Sequence, residues 1–459
     1  SVAPSRLPRA TDGTMPLVRP TPSRDVRRGL IGGLLCCLLC VAEGWARPTA
    51  QPAGATARPS QPSPASPLES ARELARGDAA EREAAAALLE RVIADALAGA
   101  DTSTEAEALR VRGELLIALG REAPTALAHL QRAGALFADL GRPGDAARAA
   151  TPSGIALRRL GRVGEAEQAQ REALRLYEQA GDRSGQGAVL HNLGAALFSL
   201  GRLDEALACY ERSITIRRDP GENALTASTL NNTATIHGQR GRPDLALDAH
   251  REALEVARAS GSRNDRAYAL LGLGSQSYRL GELQPAIGYL TEAAALFEGL
   301  GDRSGLGFAR HTLGVIYLAL GHDADAVTLL EQVLPLRKDD PARLGTTLQS
   351  LAGAYRMRGE IDRARTTLER ALALKRQAKD RLGEAATLRS LAGVEIDVGR
   401  LDRAREHASA ALELSREVDA PAGVPLSLVV LSRASGPEAD TSLVADLERI
   451  CGPGTVTVR

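Results

Sequence analysis

The chain has 459 residues, with 57 basic and 57 acidic side chains and a formal net charge of zero. That balance excludes a chain-wide attraction to nucleic acid or to an anionic membrane. Aromatics make up 3% against 44% hydrophobics, and alanine and leucine dominate, which suits many helices packed closely through small side chains. At the N-terminus, Arg24, Arg27 and Arg28 precede an apolar run from Gly29 to Ala42. The run is too short to span a bilayer comfortably. Gly44-Trp45-Ala46 then supplies small residues at the positions a signal peptidase reads. Residues 1–46 therefore read as leader and signal peptide, with Met15 as the start. The chain is expected to be exported, periplasmic or secreted. A membrane anchor formed by residues 29–42, left uncleaved, is the alternative.

Residues 47–66 are rich in Pro, Ala, Ser and Gln. Such a stretch buries no core and reads as a disordered, semi-extended linker. Residues 67–101 read as capping helices. Ala79 to Ala98 is one long alanine-rich helix, the second half of a degenerate leading unit. Residues 102–418 read as eight repeats. Gly120, Gly161, Gly201, Gly241, Gly281, Gly321, Gly359 and Gly399 stand at spacings of 41, 40, 40, 40, 40, 38 and 40. An alanine follows five residues later in seven of the eight, and six residues later, at Ala126, in the first. One inserted residue explains both that offset and the spacing of 41. Self-similarity at this period predicts a solenoid of stacked units.

Each unit reads as two helices. Leu190, Leu193 and Leu197 form an apolar stripe at helical spacing. Gly201 ends that helix, and the second carries Ala206, Tyr210 and Ser213 inward. Asp204 is placed as the N-cap of the second helix, with Asp244, Asp362 and Asp402 at the same offset. A second turn recurs at Gly181-Asp182-Arg183, Gly261-Ser262-Arg263 and Gly301-Asp302-Arg303, where glycine ends one unit and Asp or Ser opens the next. Gly194, Gly274 and Gly314 lie inside first helices, where small size permits close approach of a neighbour. Pro335 interrupts a second helix where the spacing drops to 38, which marks the joint between the sixth and seventh units as the weakest. Residues 419–451 read as a degenerate C-terminal repeat or cap, and 452–459 as a tail that could open a further domain. The fold class is all-α, a superhelical solenoid of about eight to nine helix-turn-helix repeats.

The run Leu190-x-x-Leu193-Gly194-x-x-Leu197, followed by Ala206, Tyr210 and Ser213, resembles the tetratricopeptide signature. The 40-residue period with its Gly-Asp-Arg joint is similar to the long-helix branch of that family. That branch includes Pins-type adaptors and the repeat arrays of bacterial CHAT-domain proteins. The second unit departs from the pattern with Pro152 and Ser153 where leucine is expected, and the eighth with Glu395 at a large apolar position. The resemblance implies that first helices line a concave groove and that their fifth and sixth signature positions point into it. The fifth positions are His191, Asn231, Leu271, His311, Gln349 and Arg389, and the sixth are Asn192, Asn232, Gly272, Thr312, Ser350 and Ser390. Thr235, Gln239, Ser275, Tyr278, Arg279 and Arg356 lie further along the same helices. The polar members of this set are the candidates for a peptide-binding groove. An asparagine ladder there offers donors and acceptors to a peptide backbone.

No catalytic or metal-binding constellation is legible. The sequence contains no HExxH, Walker A or GxSxG element, and its seven histidines form no ligand pattern. Cys37-x-x-Cys40 lies inside the apolar leader run and reads as hydrophobic filler. No enzyme activity, cofactor, metal or nucleic-acid partner is therefore expected, and membrane contact only through the N-terminal segment if it stays uncleaved. The expected function is a non-enzymatic scaffold that binds an extended peptide or a partner protein. The alternative is the sensing arm of a larger protein, such as a CHAT-type caspase-like protease, whose effector domain lies outside this chain.

Overall fold

The computed structural model describes residues 66–217, 223–420 and 422–435. The leader and signal segment, the linker up to residue 65, the last stretch of the degenerate C-terminal repeat and the tail lie outside the described residues. Every described element is a helix, and no strand occurs among the described residues. Two helices lead, α1 (Pro67–Leu74) and α2 (Ala79–Ala98). The first three pairs are α3 (Thr102–Ala118) with α4 (Ala123–Asp139), α5 (Pro143–Arg159) with α6 (Val163–Ala180), and α7 (Arg183–Ser199) with α8 (Leu203–Arg217). The next three are α9 (Asn223–Gln239) with α10 (Pro243–Ala259), α11 (Arg263–Leu280) with α12 (Leu283–Leu300), and α13 (Arg303–Leu320) with α14 (Asp323–Val333). Then come α15 (Pro341–Met357) with α16 (Ile361–Gln377), α17 (Arg381–Asp397) with α18 (Leu401–Glu417), and the single helix α19 (Gly423–Ser435). Helices α1 to α16 lie in one compact unit that ends at Ala378, and α17 to α19 in another that begins at Lys379.

The periodic glycines break the chain where expected. Each has positive φ, from 69° at Gly120 to 83° at Gly281, a region that residues with a Cβ rarely enter. The inserted residue of the first unit is visible at the same joint. Arg121 and Glu122 lie between Gly120 and α4, where the other units have one residue, and Glu122 absorbs the extra length with a φ of 48°.

The two joints of a unit are capped differently. Asp182, Ser262 and Asp302 accept the N–H groups of Gly185, Asp265 and Gly305, so the first helices are capped as expected. The N-cap role assigned to Asp204, Asp244, Asp362 and Asp402 is not what the structure holds. Each is the second residue of its helix, and the residue before the helix is Arg242, Glu360 or Arg400 in the last three, with no side-chain cap. The left-handed glycine reverses the chain within one following residue, so the helix begins before the acid is reached. The carboxylates instead face the positive end of the helix dipole. Asp362 and Asp402 also accept from Arg365 and Arg405, one turn on, at 3.0 and 2.8 Å.

A small residue on the first helix faces a large one on the second. A Cβ on Gly194 would lie 2.5 Å from the Tyr210 ring, one on Gly274 2.6 Å from Leu290 Cγ, and one on Gly314 2.8 Å from Leu330 Cγ. Tyr210, Leu290 and Leu330 are all buried. In the irregular second unit, buried Gln170 takes the large position over Gly154 and donates to the Thr151 carbonyl at 2.8 Å. Pro152 is accommodated inside α5. In the eighth unit Glu395 is buried with its carboxylate 3.6 Å from Arg400.

Pro335 ends α14 as expected, and the chain continues as a 3-10 turn, Leu334–Arg337. The joint that follows is bridged by one side chain. Arg337 is buried there and donates to Thr347 Oγ1 at 2.8 Å and to the Gly307 carbonyl at 3.2 Å, tying α13 to α15. The boundary between compact units falls one repeat later, at Lys379, which takes a φ of 54° where most joints use glycine.

The glycine positions yield a paired test. Helix propensity favours alanine over glycine by about 1 kcal/mol, while overpacking a closed contact costs about 1–3 kcal/mol. At Gly194 the packing term should win, and Gly194→Ala should lower the urea midpoint of unfolding. Gly288 lies inside α12, and a Cβ added there would meet nothing within 4 Å, so only propensity acts. Gly288→Ala should raise the midpoint, by up to about 1 kcal/mol in stability. If both variants shift the same way, the contact assigned to Gly194 is wrong.

Candidate functional site

Within α3 to α16, consecutive first helices touch one another, and consecutive second helices make no contact of comparable extent among the described residues. In a curved stack the layer whose members are closest lies at the smaller radius. The first helices are therefore the inner layer, the one on which the sequence reading places its candidate residues.

The fifth positions do not present their side chains to that groove in the way expected. His191 is buried, and its Nδ1 lies 2.8 Å from Thr229 Oγ1 on the next first helix. Thr229 already donates to the Leu225 carbonyl, so the ring nitrogen is the donor in that bond. Asn231 is buried too. It donates to the Asp265 carbonyl at 3.3 Å, and its Oδ1 accepts from Nδ1 of His250 at 3.0 Å. His311 is buried, and its Nδ1 has no hydrogen-bond partner among the described residues. These side chains fill the seams between neighbouring helices because the fifth position lies on the flank of the inner layer.

Others are occupied by their own helix or its neighbour. Tyr278 and Thr312 are buried, and Thr312 donates to the Phe308 carbonyl. Thr235 and Ser275 donate to the Asn231 and Leu271 carbonyls one turn back. Arg279 donates to the Gly238 carbonyl of the preceding unit at 2.8 Å and to Gln276 Oε1 at 3.3 Å. In the C-terminal compact unit, Arg389 reaches Ser415 and Ser427, both at 3.4 Å. Asn192, Asn232, Gln239, Gln349 and Arg356 remain half-buried on the inner layer. Asn232 hydrogen-bonds the Tyr210 hydroxyl, whose pKa is pushed up by burial.

The sequence reading missed two features of this face. Arg148, Tyr268 and Phe308 lie one helical turn before the sixth positions, so extending the strip by its 3.6-residue period would have found them. Arg343 and Arg337 lie over the Phe308 ring at 4.9 and 5.2 Å. The second is the role of Gly272. A Cβ there would collide with the imidazole of His250, which reaches up from the second layer. Nothing in the repeat pattern signals a histidine at position 250, because the equivalent residues in neighbouring units are Tyr210 and Leu290.

Burial sets the titration of these histidines and of Cys209. Full burial holds the His250 imidazole down at about 3. His311 is held well below the usual histidine range by burial, with the Arg337 and Lys375 cations adding to the effect. Cys209 is half-buried, and burial pushes its thiol up, away from nucleophilic character. Among the described residues no group of three or more His, Cys, Asp or Glu side chains is placed to hold a metal ion. No helix of the described residues is long and apolar enough to cross a membrane.

A tetratricopeptide-repeat family model matches residues 145–219, 185–259, 265–339 and 343–418. No curated protein matches the chain. Among solved structures, the chain is similar to the apo form of the quorum sensor NprR from B. thuringiensis. Identity there is 16%, over 67% of this chain and 86% of that one, with a TM-score of 0.51. It is also similar to a signal transduction ATPase with numerous domains and a tetratricopeptide repeat sensor from Pyrococcus horikoshii. Identity is 13%, over 71% of this chain and 52% of that one, with a TM-score of 0.50. A third similar structure is BtubC from P. vanneervenii, at 20% identity over 48% of this chain and 91% of that one, with a TM-score of 0.42.

The buried histidines fix a direction of pH dependence. An unfolded chain binds a proton on histidine near pH 6.5, whereas folded His250 stays neutral down to about 3. The unfolded state therefore holds the extra proton in that window, and stability falls as pH drops below about 6.5. His311 acts in the same sense. Urea midpoints measured from neutral to acidic pH should decline, and His250→Gln should flatten part of the decline. A slope that is unchanged in the variant would show that His250 is protonated in the folded protein.

Proposed function

The chain belongs to the tetratricopeptide-repeat family, and from that premise we propose that it is a non-enzymatic scaffold whose inner helical layer binds an extended peptide or a segment of a partner protein. The observation that carries this reading is the row of half-buried amide side chains on consecutive first helices, Asn192 on α7, Asn232 and Gln239 on α9, and Gln349 on α15. An amide offers a donor and an acceptor together, so it matches a peptide backbone presented in either sense. Small and hydroxyl-bearing neighbours, such as Ser275 and Thr235, donate to their own helix, so their hydroxyls do not tie up the amides beside them.

A second reading has one observation in its favour. The Pyrococcus protein that shares the fold is described as carrying its tetratricopeptide repeats as a sensor, and this chain matches 52% of it. On that reading the array is the sensing arm of a longer protein. An effector domain encoded in the same reading frame beyond Arg459 would favour it over the stand-alone scaffold.

Export is part of the proposal. It rests on the basic residues Arg24, Arg27 and Arg28 ahead of the apolar run and on the small residues near Ala46. Cells expressing from Met15 should release a product that begins after Ala46 or Ala42, identified by N-terminal sequencing of the extracytoplasmic fraction. Placing Asp at Leu34, Leu35 and Leu38 should retain the protein inside. An intact N-terminus on cytoplasmic protein would rule export out.

The groove reading is checked by a double substitution. Asn192→Ala with Gln239→Ala should weaken binding of a partner captured from an exported extract and then purified. Each lost amide contact costs about 1–3 kcal/mol where it leaves a buried partner group unsatisfied. Glu211→Ala with Arg212→Ala, both exposed on α8, serves as the control and should leave affinity unchanged. Calorimetry in which the two pairs lose affinity equally, or neither loses any, would place the contact elsewhere.

A further inference from the structure

The zero net charge of the whole chain conceals a partition between its two helical layers. In units two to six the first helices, α5, α7, α9, α11 and α13, carry nine arginines against two carboxylates. The second helices of the same units, α6, α8, α10, α12 and α14, carry sixteen carboxylates against six arginines. In unit seven α15 continues the inner pattern, with Arg343 and Arg356 and no acid, and α16 ends the outer one, with two acids against five cations. Because the first helices are the inner layer, this alternation along the sequence places net positive charge on the inside of units two, three, five, six and seven, leaves α9 of unit four uncharged, and places net negative charge on the outside of units two to six.

The two inner carboxylates offset this only in part, Asp145 being shared between two arginines. Asp265 is buried at the start of α11, where it accepts from the Ser262 hydroxyl at 2.5 Å. Asp145 is drawn to the edge of α5 by Arg142 and Arg148, at 2.6 and 3.0 Å. Some inner-layer arginines turn outward, since Arg266 and Arg310 pair with Glu292 and Glu298 of α12. Arg148 and Arg279 stay with the inner strip. Arg279 is held by two neutral acceptors, the Gly238 carbonyl and Gln276 Oε1, so its position is fixed while those contacts leave its charge in place. Asn192, Asn232 and Gln239 lie on the helices between these two arginines.

We infer that the inner face of units two to seven takes an acidic, extended segment of a partner protein, with Asp or Glu side chains drawn to Arg148 and Arg279 and the backbone matched by the amides between them. This rests on the reading of the inner face as a peptide groove and adds the chemistry of its occupant. Low charge density in the groove separates a polypeptide from a nucleic-acid strand. Arginines spread unevenly, from none on α9 to three on α5 and α11, do not match a phosphate on every nucleotide. The available rings are also few, and Phe308 already lies beneath two guanidinium groups.

The test uses the full chain and three fluorescent peptides of equal length and identical apolar residues, carrying Glu, Gln or Lys at the same alternate positions. Anisotropy titrations should show the Glu peptide binding about tenfold or more tightly than the Gln peptide, and the Lys peptide not at all. The Glu affinity should fall as salt rises. Arg148→Glu with Arg279→Gln should weaken the Glu peptide about tenfold. Since Arg279 also ties α11 to α9, Arg148→Glu alone repeats the test without touching that bond, with the urea midpoint checked for both. Equal, salt-independent binding of the Glu and Gln peptides would overturn the acidic specificity and leave the groove reading standing. Binding by none of the three would overturn both. A single-stranded oligothymidine that binds more tightly than the Glu peptide would overturn the choice of a polypeptide.

Discussion

The array depends on one contact, a missing or minimal side chain on the first helix that receives a large side chain from the second. Gly194 under Tyr210, Gly274 under Leu290 and Gly314 under Leu330 are the same contact in three units. Glycine inside a helix is unfavourable by propensity alone, so its recurrence there points to packing as the stronger term. The contact brings the two helices of a unit together and fixes their register. It also explains why no unit is independent, since the faces left over must be buried against the next unit.

Where that contact changes, the chain supplies polar compensation. The second unit places Gln170 over Gly154, and the amide finds the Thr151 carbonyl. The fourth unit has Ala234 at the small position, and His250 lies under Gly272 of the following unit and bonds Asn231. Asn231 in turn reaches the Asp265 carbonyl, so one buried chain of hydrogen bonds joins three helices. Buried polar groups are costly when unpaired and directional when paired. Such links therefore hold neighbouring units in one relative position, at the price of a fold that weakens in acid.

The two faces of a unit answer to different constraints. The seam between first helices consumes polar residues for structure, which removes His191 and Asn231 from the surface. One position further round, Asn192 and Asn232 keep part of their surface toward solvent. The outer helices carry most of the acids, several within their first turn, where the helix dipole favours them. The inner helices begin at a neutral or acidic cap and are left with arginine. Dipole and capping preferences thus contribute to the charge partition.

The repeat number, the helix breaks, the Asp and Ser caps of the first helices and the close approach at Gly194 were all legible in the sequence. They follow from local rules of periodicity, left-handed glycine and capping geometry that act within a few residues. The inserted residue of the first unit was legible for the same reason. The second-helix caps were misplaced because Asp244 and its equivalents satisfy the composition rule for a cap while sitting too late in the helix, a difference that only backbone geometry reveals. Which candidate side chains stay exposed was legible only in part. Adjacent positions such as His191 and Asn192 differ by one step around the helix, about 100°, and a neighbouring unit decides which of them it covers. The pairing of His250 with Asn231 and the seating of Arg337 against Phe308 join residues from different helices. Tertiary packing alone decided them, because no local pattern in a chain records which distant side chain will fill a given gap.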